Sequence, residues 1–294
     1  SPATTGLGWT AQSITGGDVL AVAFSPNFAD DEGLVAVTVN GTDTKIQFAF
    51  GYTQTGGGWG ASIGPGKFLN TNGVAITNTT RARIAFPDDF DVDSTLSNIC
   101  WVGFVAGTEG SNTEYGDVYK VTAQPTASST EDLNVRGLVS TLRTGTNIWS
   151  IDAAGDSEAA TILVGTDYWS TGVANYYWTS YISTDSGASW STAREKSPTG
   201  GAIGTGTPTD GVQCEVLLGP NFATDGIAFA ATKGVDTSAI SRTKNSAASW
   251  NQISLIDWAD TTNYYSITYQ NVNLFDNNDF MVLLTAQSQG ALFH

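Results

Sequence analysis

The hydrophobic pattern of the chain consists of short β-rich runs, each preceded by a corner of turn residues. Two corners are close copies: FSPNFADDEG at 24–33 precedes the run at 34–38, and LGPNFATDG at 218–226 precedes the run at 227–232. A Pro-Asn corner followed by an acidic-Gly reversal predicts a strand, a turn and a second strand. Looser copies precede three further runs, which lie at 99–104, 161–165 and 280–284.

The spacing of the five runs is nearly regular. Steps of 66, 61, 66 and 54 residues separate their central residues, which are Ala36, Val102, Leu163, Phe229 and Leu283. A period of about sixty residues, with room for four short strands and several turns, is typical of radially repeated sheets. The pattern therefore predicts an all-β fold, a β-propeller of about five four-stranded blades. We expect a single domain over 1–294, with repeat units at approximately 18–77, 78–143, 144–205, 206–262, and 263–294 together with 1–17.

The two ends of the chain carry complementary parts of one repeat. The last unit stops at 290–294, where the other units enter a hairpin, and Trp9 corresponds to the tryptophan end of that hairpin. We therefore expect an N-terminal strand to complete the last blade beside Leu292 and Phe293, which would remove an open sheet edge. Closure within one chain and strand exchange between chains both fit the sequence. Strand exchange would link subunits head to tail into filaments.

The hairpin has a recurring sequence, Ser-x-Asp-x-Gly-x-x-Trp, with one full copy at 183–190. Its glycine tolerates positive φ, its polar side chains bond the amide groups of the turn, and its tryptophan buries a large apolar surface. This chemistry predicts a structural turn and not a catalytic aspartate. The motif residues are Ser183, Asp185, Gly187 and Trp190 in the full copy, Thr243, Asn245 and Trp250 in the second, and Gly56 and Trp59 in the third.

These turns resemble the Asp-box, or BNR, repeat of sialidases, sortilin-type receptors and bacterial secreted β-propellers. The resemblance implies a secreted propeller, and in sialidases it implies an arginine triad, a Tyr/Glu nucleophile pair and an acid/base aspartate. The Arg-Ile-Pro string that marks the first arginine is broken at 83–87, and the sole histidine is the final residue, His294. We therefore expect neither a catalytic sialidase motif nor a Ser-His-Asp triad, and we assign no catalytic residue. Glycoside hydrolysis of another kind stays open, because it needs only two suitably spaced carboxylates.

Composition and charge narrow the partners. Acidic residues number 28 against 12 basic ones, a formal net charge of −16, so nucleic acid is a poor partner. No run of about twenty apolar residues is present to span a membrane. Charged residues are only 14% of the chain, which favours a surface covered by neighbouring copies, as in a homopolymer or surface lattice. The start at Ser1, without Met or an apolar leader, is consistent with a mature protein after removal of a signal, and a shortened sequence would look the same. We expect an extracellular or cell-surface location.

Two local clusters are candidate binding sites. Asp89, Asp91 and Asp93 alternate in the densest acidic string, and their carboxylates could converge on calcium, although a solvated turn is the simpler interpretation. Tyr168 and Trp169 belong to an aromatic-rich stretch. Such rings stack on sugar faces or anchor interfaces, and packing within the blade is the alternative.

The two cysteines, Cys100 and Cys214, lie in apolar strand-like contexts in non-adjacent units. Because a disulfide has a short reach, we expect two buried free thiols in preference to a bond between them. The sequence has no CxxC motif and no Cys/His cluster, so no zinc site is expected.

Our leading hypothesis from the sequence is a non-catalytic extracellular structural propeller, a building block of a surface layer or filament. It rests on the missing catalytic set, the low charge density and the complementary chain ends. The alternative is a carbohydrate-binding or glycoside-hydrolase-type propeller with glycans as partners. No cofactor is expected apart from the calcium candidate.

Overall fold

The computed structural model describes residues 14, 16–50, 58–60, 63–77, 79–106, 116–135, 143–170, 175–192, 197–198, 213–233, 237–257, 267–271, 280–285 and 290–293.

These residues form five antiparallel sheets in chain order, four with four strands and one with three. The first sheet contains β1 (Asp18–Phe24), β2 (Leu34–Val39), β3 (Thr44–Ala49) and β4 (Gly66–Lys67), with α1 (Phe28–Asp31) between its first two strands. The second contains β5 (Thr79–Ala85), β6 (Ile99–Ala106), β7 (Val118–Thr122) and β8 (Ser129–Asp132). The third contains β9 (Arg143–Ala154), β10 (Thr161–Ser170), β11 (Asn175–Ser183) and β12 (Ser191–Thr192). The fourth contains β13 (Gln213–Leu218), α2 (Phe222–Asp225), β14 (Ala228–Lys233), β15 (Thr237–Thr243) and β16 (Asn251–Asp257), and the fifth contains β17 (Ile267–Asn271), β18 (Phe280–Thr285) and β19 (Gly290–Phe293).

The sheets are arranged around a common centre. In every sheet the strands lie side by side in chain order. The first strands of successive sheets pack on one another: β1 on β5, β5 on β9, β9 on β13 and β13 on β17. First strands that gather at a centre, with later strands further out, are the arrangement of a β-propeller. The predicted all-β propeller fold is confirmed, and five successive sheets fit the expected number of blades.

The second strand of each sheet contains the apolar run that the sequence repeats. All five central residues predicted from the spacing lie in these strands. In β2, for example, Val35, Ala36 and Val37 are fully buried. A strand that lies between two neighbouring sheets has no solvent face, so its sequence is continuously apolar and does not alternate.

Hydrophobic cores fill the spaces between neighbouring sheets. The first and second sheets share a core that includes Phe48 and Phe104. The second and third sheets share one that includes Trp101 and Ile162. A third core, between the third and fourth sheets, is built around Trp250. Each of these three interfaces therefore has its own aromatic anchor, as expected for a repeat protein in which each unit packs on its neighbours.

The Pro-Asn corners close as single helical turns, α1 and α2, where the sequence predicted a corner without a helix. Each turn ends on a residue with left-handed backbone, Glu32 at φ 47° and Gly226 at φ 62°. The carboxylates of Asp31 and Asp225 each accept the backbone N–H two residues further on, at 2.7 and 2.8 Å. These bonds satisfy the backbone N–H groups with which the chain leaves each turn, as Asx turns do.

The hairpin turn of the third sheet is fixed by its own side chains. Asp185 Oδ1 accepts the hydroxyl of Ser183 and the N–H of Ser189, both at 2.8 Å. Ser183 Oγ in turn accepts the N–H of Gly187 at 2.8 Å, and Gly187 has a φ of 93°. The hydrogen bonds from Ser189 hold the pKa of Asp185 below its ordinary value. The hydrogen-bonding capacity of the Asp185 carboxylate is thus used within its own turn.

The turn of the fourth sheet repeats this network with an amide in place of the carboxylate. Asn245 Oδ1 accepts the hydroxyl of Thr243 at 2.9 Å and the N–H of Ser249 at 3.0 Å. Ala247 occupies the position of the glycine with a φ of 63°. The geometry of the turn therefore tolerates both a neutral side chain and a Cβ at the left-handed position.

The tryptophans that follow these turns differ in burial. Trp250 is fully buried and donates its indole N–H to Ser180 Oγ of the third sheet at 3.0 Å. Trp190 is only partly buried, against the core between the second and third sheets. Trp59 is half-buried, whereas Gly56 lies outside the described residues. Of the three motif tryptophans, only Trp250 is thus fully enclosed between two sheets.

Cys100 on β6 and Cys214 on β13 are buried and unpaired, which confirms the prediction of two free thiols. Burial raises the pKa of both thiols well above the ordinary value, so both are protonated. Among the described residues, no helix is long and apolar enough to cross a bilayer.

Candidate ligand site at the propeller axis

The first strands of the third and fourth sheets, β9 and β13, run side by side in the same direction. The hydroxyl of Ser150 donates to the carbonyl oxygen of Cys214 at 3.1 Å and accepts the N–H of Val216 at 2.7 Å. Two residues further along, Asp152 Oδ2 accepts the N–H of Leu218 at 2.8 Å. These contacts give the strands a fixed register near the centre of the molecule.

Two arginines and a glutamate meet across this centre. Arg81 and Arg83 lie on β5, and Glu215 lies on β13. Nη1 of Arg81 is 3.9 Å from Glu215 Oε1, and Nη2 of Arg83 is 3.7 Å from the same oxygen. Because β5 and β13 belong to the second and fourth sheets, these ion pairs pass in front of the third sheet. They therefore mark the propeller axis.

The site is enclosed at the glutamate and opens towards Arg83. The Glu215 side chain is 12% exposed, whereas that of Arg83 is 41% exposed. Burial raises the pKa of Glu215, and the charges of Arg83 and Arg81 lower it by a smaller amount. A glutamate with this balance stays easier to protonate than a surface carboxylate, although two guanidinium groups face it.

Trp149 on β9 completes the group, because Arg81 Cζ lies 5.1 Å from the centroid of its ring. This distance is within the range of a cation–π interaction. The pairing of β9 with β10 skips Trp149, since Ser150 pairs with Gly165 and Ile148 with Thr166. Such an extra residue redirects its side chain out of the regular pleat. We call Arg81, Arg83, Trp149 and Glu215 the axial cluster.

Asp167 on β10 lies behind the axial cluster, opposite Asn147 of β9. It is 1% exposed, and burial raises its pKa to about 7, although hydrogen-bonding groups of Asn147 and Trp149 act to lower it. Neither carboxylate oxygen has a hydrogen-bond partner of ordinary geometry, and neither does Nε1 of Trp149. At Gly165, an added Cβ would be 2.1 Å from the carbonyl oxygen of Cys214, so β10 and β13 are in direct contact here.

The first three strands of the third sheet are longer than the first strands of the neighbouring sheets. β9, β10 and β11 have 12, 10 and 9 residues, whereas β5 and β13 have 7 and 6. The additional residues are at the start of β9. Arg81 and Glu215 also lie near the start of their own strands, so the longer part of the third sheet is at the same end of the propeller as these two residues. We call residues 166–170 and 175–179 the aromatic hairpin. Its backbone pairs Asp167 with Trp178, Tyr168 with Tyr177, and Trp169 with Tyr176.

The aromatic residues singled out from the sequence, Tyr168 and Trp169, thus lie on the hairpin that rises beside the axial cluster. The axial cluster itself was missed in the sequence. Its signal was present as charged residues at alternate positions of an apolar strand, Arg81 and Arg83 within TTRARIA, and as Glu215 within QCEVLL.

The calcium candidates have other partners. Asp89 accepts the N–H of Ser157 at 2.7 Å through one oxygen and the hydroxyl of the same residue at 2.9 Å through the other. Asp91 Oδ1 accepts the N–H of Asp93 at 2.9 Å. Asp89 therefore joins the second sheet to the third. In the part of the chain that the structure describes, no group of three or more His, Cys, Asp or Glu side chains could hold a metal ion.

The residues expected to close the ring are only partly described. Trp9 lies outside the described residues. Leu292 and Phe293 lie on β19, opposite Leu283 and Val282 of β18. Completion of the last blade by the N-terminal strand stays a prediction.

No family model matches the sequence, and no curated protein matches it. Solved structures with similar folds include a GH74 xyloglucanase from Xanthomonas campestris, 13% identical with a TM-score of 0.48 over 94% of this chain and 35% of that one. Another is an exo-β-1,3-galactanase from Phanerochaete chrysosporium, 12% identical with a TM-score of 0.40 over 74% of this chain and 46% of that one. A third, described as a glycoside hydrolase, is 10% identical with a TM-score of 0.39 over 96% and 88%. The chain spans about a third and under half of the first two, and likeness at this level carries no information on activity.

Proposed function

We propose that this chain is a carbohydrate-binding propeller whose ligand site lies where the axial cluster meets the aromatic hairpin. The observation that carries the proposal is the pair of ion contacts from Arg81 and Arg83 to Glu215 across the propeller axis. A glutamate held largely out of water contributes little net stability even when it is paired, so the retention of Glu215 at a central opening favours a role in binding.

The chemistry of the site suits a saccharide. The guanidinium groups and the carboxylate offer planar donors and acceptors to hydroxyl groups, and Arg83 is accessible from solvent. The aromatic hairpin supplies the residue types that cover the apolar faces of sugar rings, with Trp169 and Tyr176 paired at its upper end. The site therefore combines polar and apolar recognition at one end of the propeller.

We propose binding in preference to hydrolysis. A glycosidase needs two carboxyl groups that both reach the glycosidic bond. Glu215 borders the opening, but Asp167 is enclosed behind Trp149. Among the described residues of this region, the second carboxylate is thus withheld from a ligand.

A self-associating structural propeller is the second candidate, and one observation favours it. Three apolar side chains of β1 are exposed, Val19 by 45%, Val22 by 57% and Phe24 by 64%. Apolar side chains in a row on one strand are a common feature of contact surfaces. The strand-exchange form of this function depends on residues 1–13, which lie outside the described residues. Size-exclusion chromatography and electron microscopy at high protein concentration test it.

Screening of a glycan array, followed by titration calorimetry of the ligands found, tests the binding proposal. We expect Arg83→Gln and Trp169→Ala each to weaken binding about tenfold or more, as substitution of central contact residues does. Arg242→Gln is a matched control, because Arg242 is a partly buried arginine on β15, away from the axis. An array without a ligand, or an unchanged affinity of Arg83→Gln, would remove the proposal.

A panel of chromogenic glycosides separates binding from turnover. We expect no release of chromophore. Turnover that disappears in Glu215→Gln would instead assign a hydrolase to the same site.

A further inference from the structure

We propose that Asp167 is a positioning residue of the axial cluster, which fixes the Trp149 ring and, through that ring, the Arg81 guanidinium. Its effect on a ligand rests on the proposed carbohydrate-binding function. Its effect on Trp149 does not, and it can be measured without any ligand.

Successive contacts connect Asp167, Trp149 and Arg81. The Asp167 carboxyl group lies close enough to the Trp149 indole and the Asn147 amide for both to act on it. The Arg81 guanidinium packs over the same ring, with its Cζ 5.1 Å from the ring centroid. Arg81 then contacts Glu215. A movement of the Trp149 ring therefore also moves the Arg81 guanidinium, which borders the ligand site.

The unfilled hydrogen-bonding capacity at Asp167 supports this role. Both of its carboxylate oxygens and the indole N–H of Trp149 are buried without a hydrogen-bond partner of ordinary geometry. Buried polar groups in native proteins are nearly always paired, and each exception calls for an explanation. Here an acceptor and a donor lie next to each other, so a small movement of the ring brings them into contact.

In its surroundings, the charge of the Asp167 carboxyl group depends on pH. Burial raises its pKa to about 7. On β9 it faces the neutral Asn147 and Trp149, and on β11 it lies opposite Trp178. The titratable group of β13 that interacts with it is the Cys214 thiol, which burial keeps protonated. Glu215 and Arg81 lie beyond the indole, in the axial cluster.

Ionised Asp167 is the stronger acceptor, because charge-assisted hydrogen bonds are shorter and stronger than neutral ones. Above pH 7 it therefore holds the indole N–H and keeps the ring in place beneath Arg81. Below pH 7 the neutral carboxyl group releases the ring. The ligand site is accordingly better ordered on the alkaline side.

The first test uses the free protein. The contribution of Trp149 to the fluorescence is obtained as the difference between wild type and Trp149→Phe from pH 5 to 9. We expect a transition near pH 7 that is absent in Asp167→Asn. It should persist in Asp152→Asn, a matched control, since Asp152 is a partly buried carboxylate of the same sheet with raised pKa whose oxygens are engaged by the N–H groups of Leu218 and Ala153. A transition that survives in Asp167→Asn would overturn the proposal.

A second measurement serves if Asp167→Asn does not fold. Carbon-detected NMR follows the carboxyl group of Asp167 in wild type and in Trp149→Phe. Loss of the indole donor should move the midpoint of titration upwards, and an unchanged midpoint would overturn the proposal.

The last test concerns the ligand. Affinity for the glycan should rise about fivefold or more from pH 6 to pH 8 in wild type and stay flat in Asp167→Asn, a coupling of ordinary size. Equal pH dependence in both proteins would overturn the link to the ligand. If no glycan binds at all, the proposed function fails, while the fluorescence result still decides the role of Asp167.

Discussion

At the scale of single residues, the structure separates carboxylates that the fold uses from carboxylates that it leaves unsatisfied. Asp185 is fully bonded within its turn, and Asn245 makes the same bonds in the next sheet without a charge. Asp167 is buried, and neither of its oxygens has a hydrogen-bond partner of ordinary geometry. The first kind of residue can be recognised in the sequence, because its partners are within four positions. The second kind cannot, because burial by distant strands causes its altered pKa.

We expect Asp185→Asn to be nearly neutral for stability and Asp185→Ala to lower the unfolding free energy by about 1–2 kcal/mol, since only alanine removes the acceptor. Urea denaturation at neutral pH measures both. Equal losses for the two variants would show that the charge, and not the hydrogen bonds, stabilises the turn.

Asp167 should make the protein less stable as pH rises. Its pKa of about 7 in the folded protein exceeds the ordinary value of 3.8, so between these values the unfolded chain releases a proton that the folded one keeps. The unfolding free energy therefore falls with rising pH over this range, by on the order of 4 kcal/mol in all. Urea denaturation of wild type and Asp167→Asn at pH 5 to 8 should show a steeper fall for wild type. Parallel curves would contradict the raised pKa.

At the scale of elements, the repeat predicted the strands but not which side chains the strands bring together. The five apolar runs became the second strands because burial between two sheets requires such runs. The helical turns of α1 and α2 were missed, since four residues are too few for a helical pattern. The axial cluster was missed because Arg83 and Glu215 are far apart in sequence, and spacing alone does not tell which first strands face each other across the axis.

The hairpins of the third and fourth sheets should differ in how much their tryptophans stabilise the fold. Trp250→Ala should cost about 3–5 kcal/mol, as loss of a fully buried aromatic side chain does. Trp190→Ala should cost clearly less, because the ring is only partly buried. Chemical denaturation of both variants gives the comparison. A larger loss at Trp190 would contradict the packing of these two sheets.

At the scale of the whole molecule, the five sheets form a framework whose first strands pack on one another at the centre. Most of the propeller is built from interfaces between neighbouring sheets. The axial cluster instead joins the second sheet to the fourth. The protein carries a formal net charge of −16, yet this site holds two arginines and one glutamate. Counted over the described residues, the axial cluster is thus locally basic on an acidic protein.

Deletion of residues 1–14 tests how the ring closes. We expect the truncated monomer to unfold at lower urea concentration, because an unpaired sheet edge would remain. Denaturation and size-exclusion chromatography of both forms measure this. A truncated protein that is equally stable, and that differs only by losing the ability to polymerise, would instead establish strand exchange between chains.

The central claim, a saccharide site at the propeller axis, is tested most directly by a crystal structure with a glycan identified on the array. We predict sugar hydroxyl groups within hydrogen-bond distance of Arg83 and Glu215, and a sugar ring beside the aromatic hairpin. A glycan bound only at the rim of the sheets, with the axial cluster free of ligand, would contradict the claim.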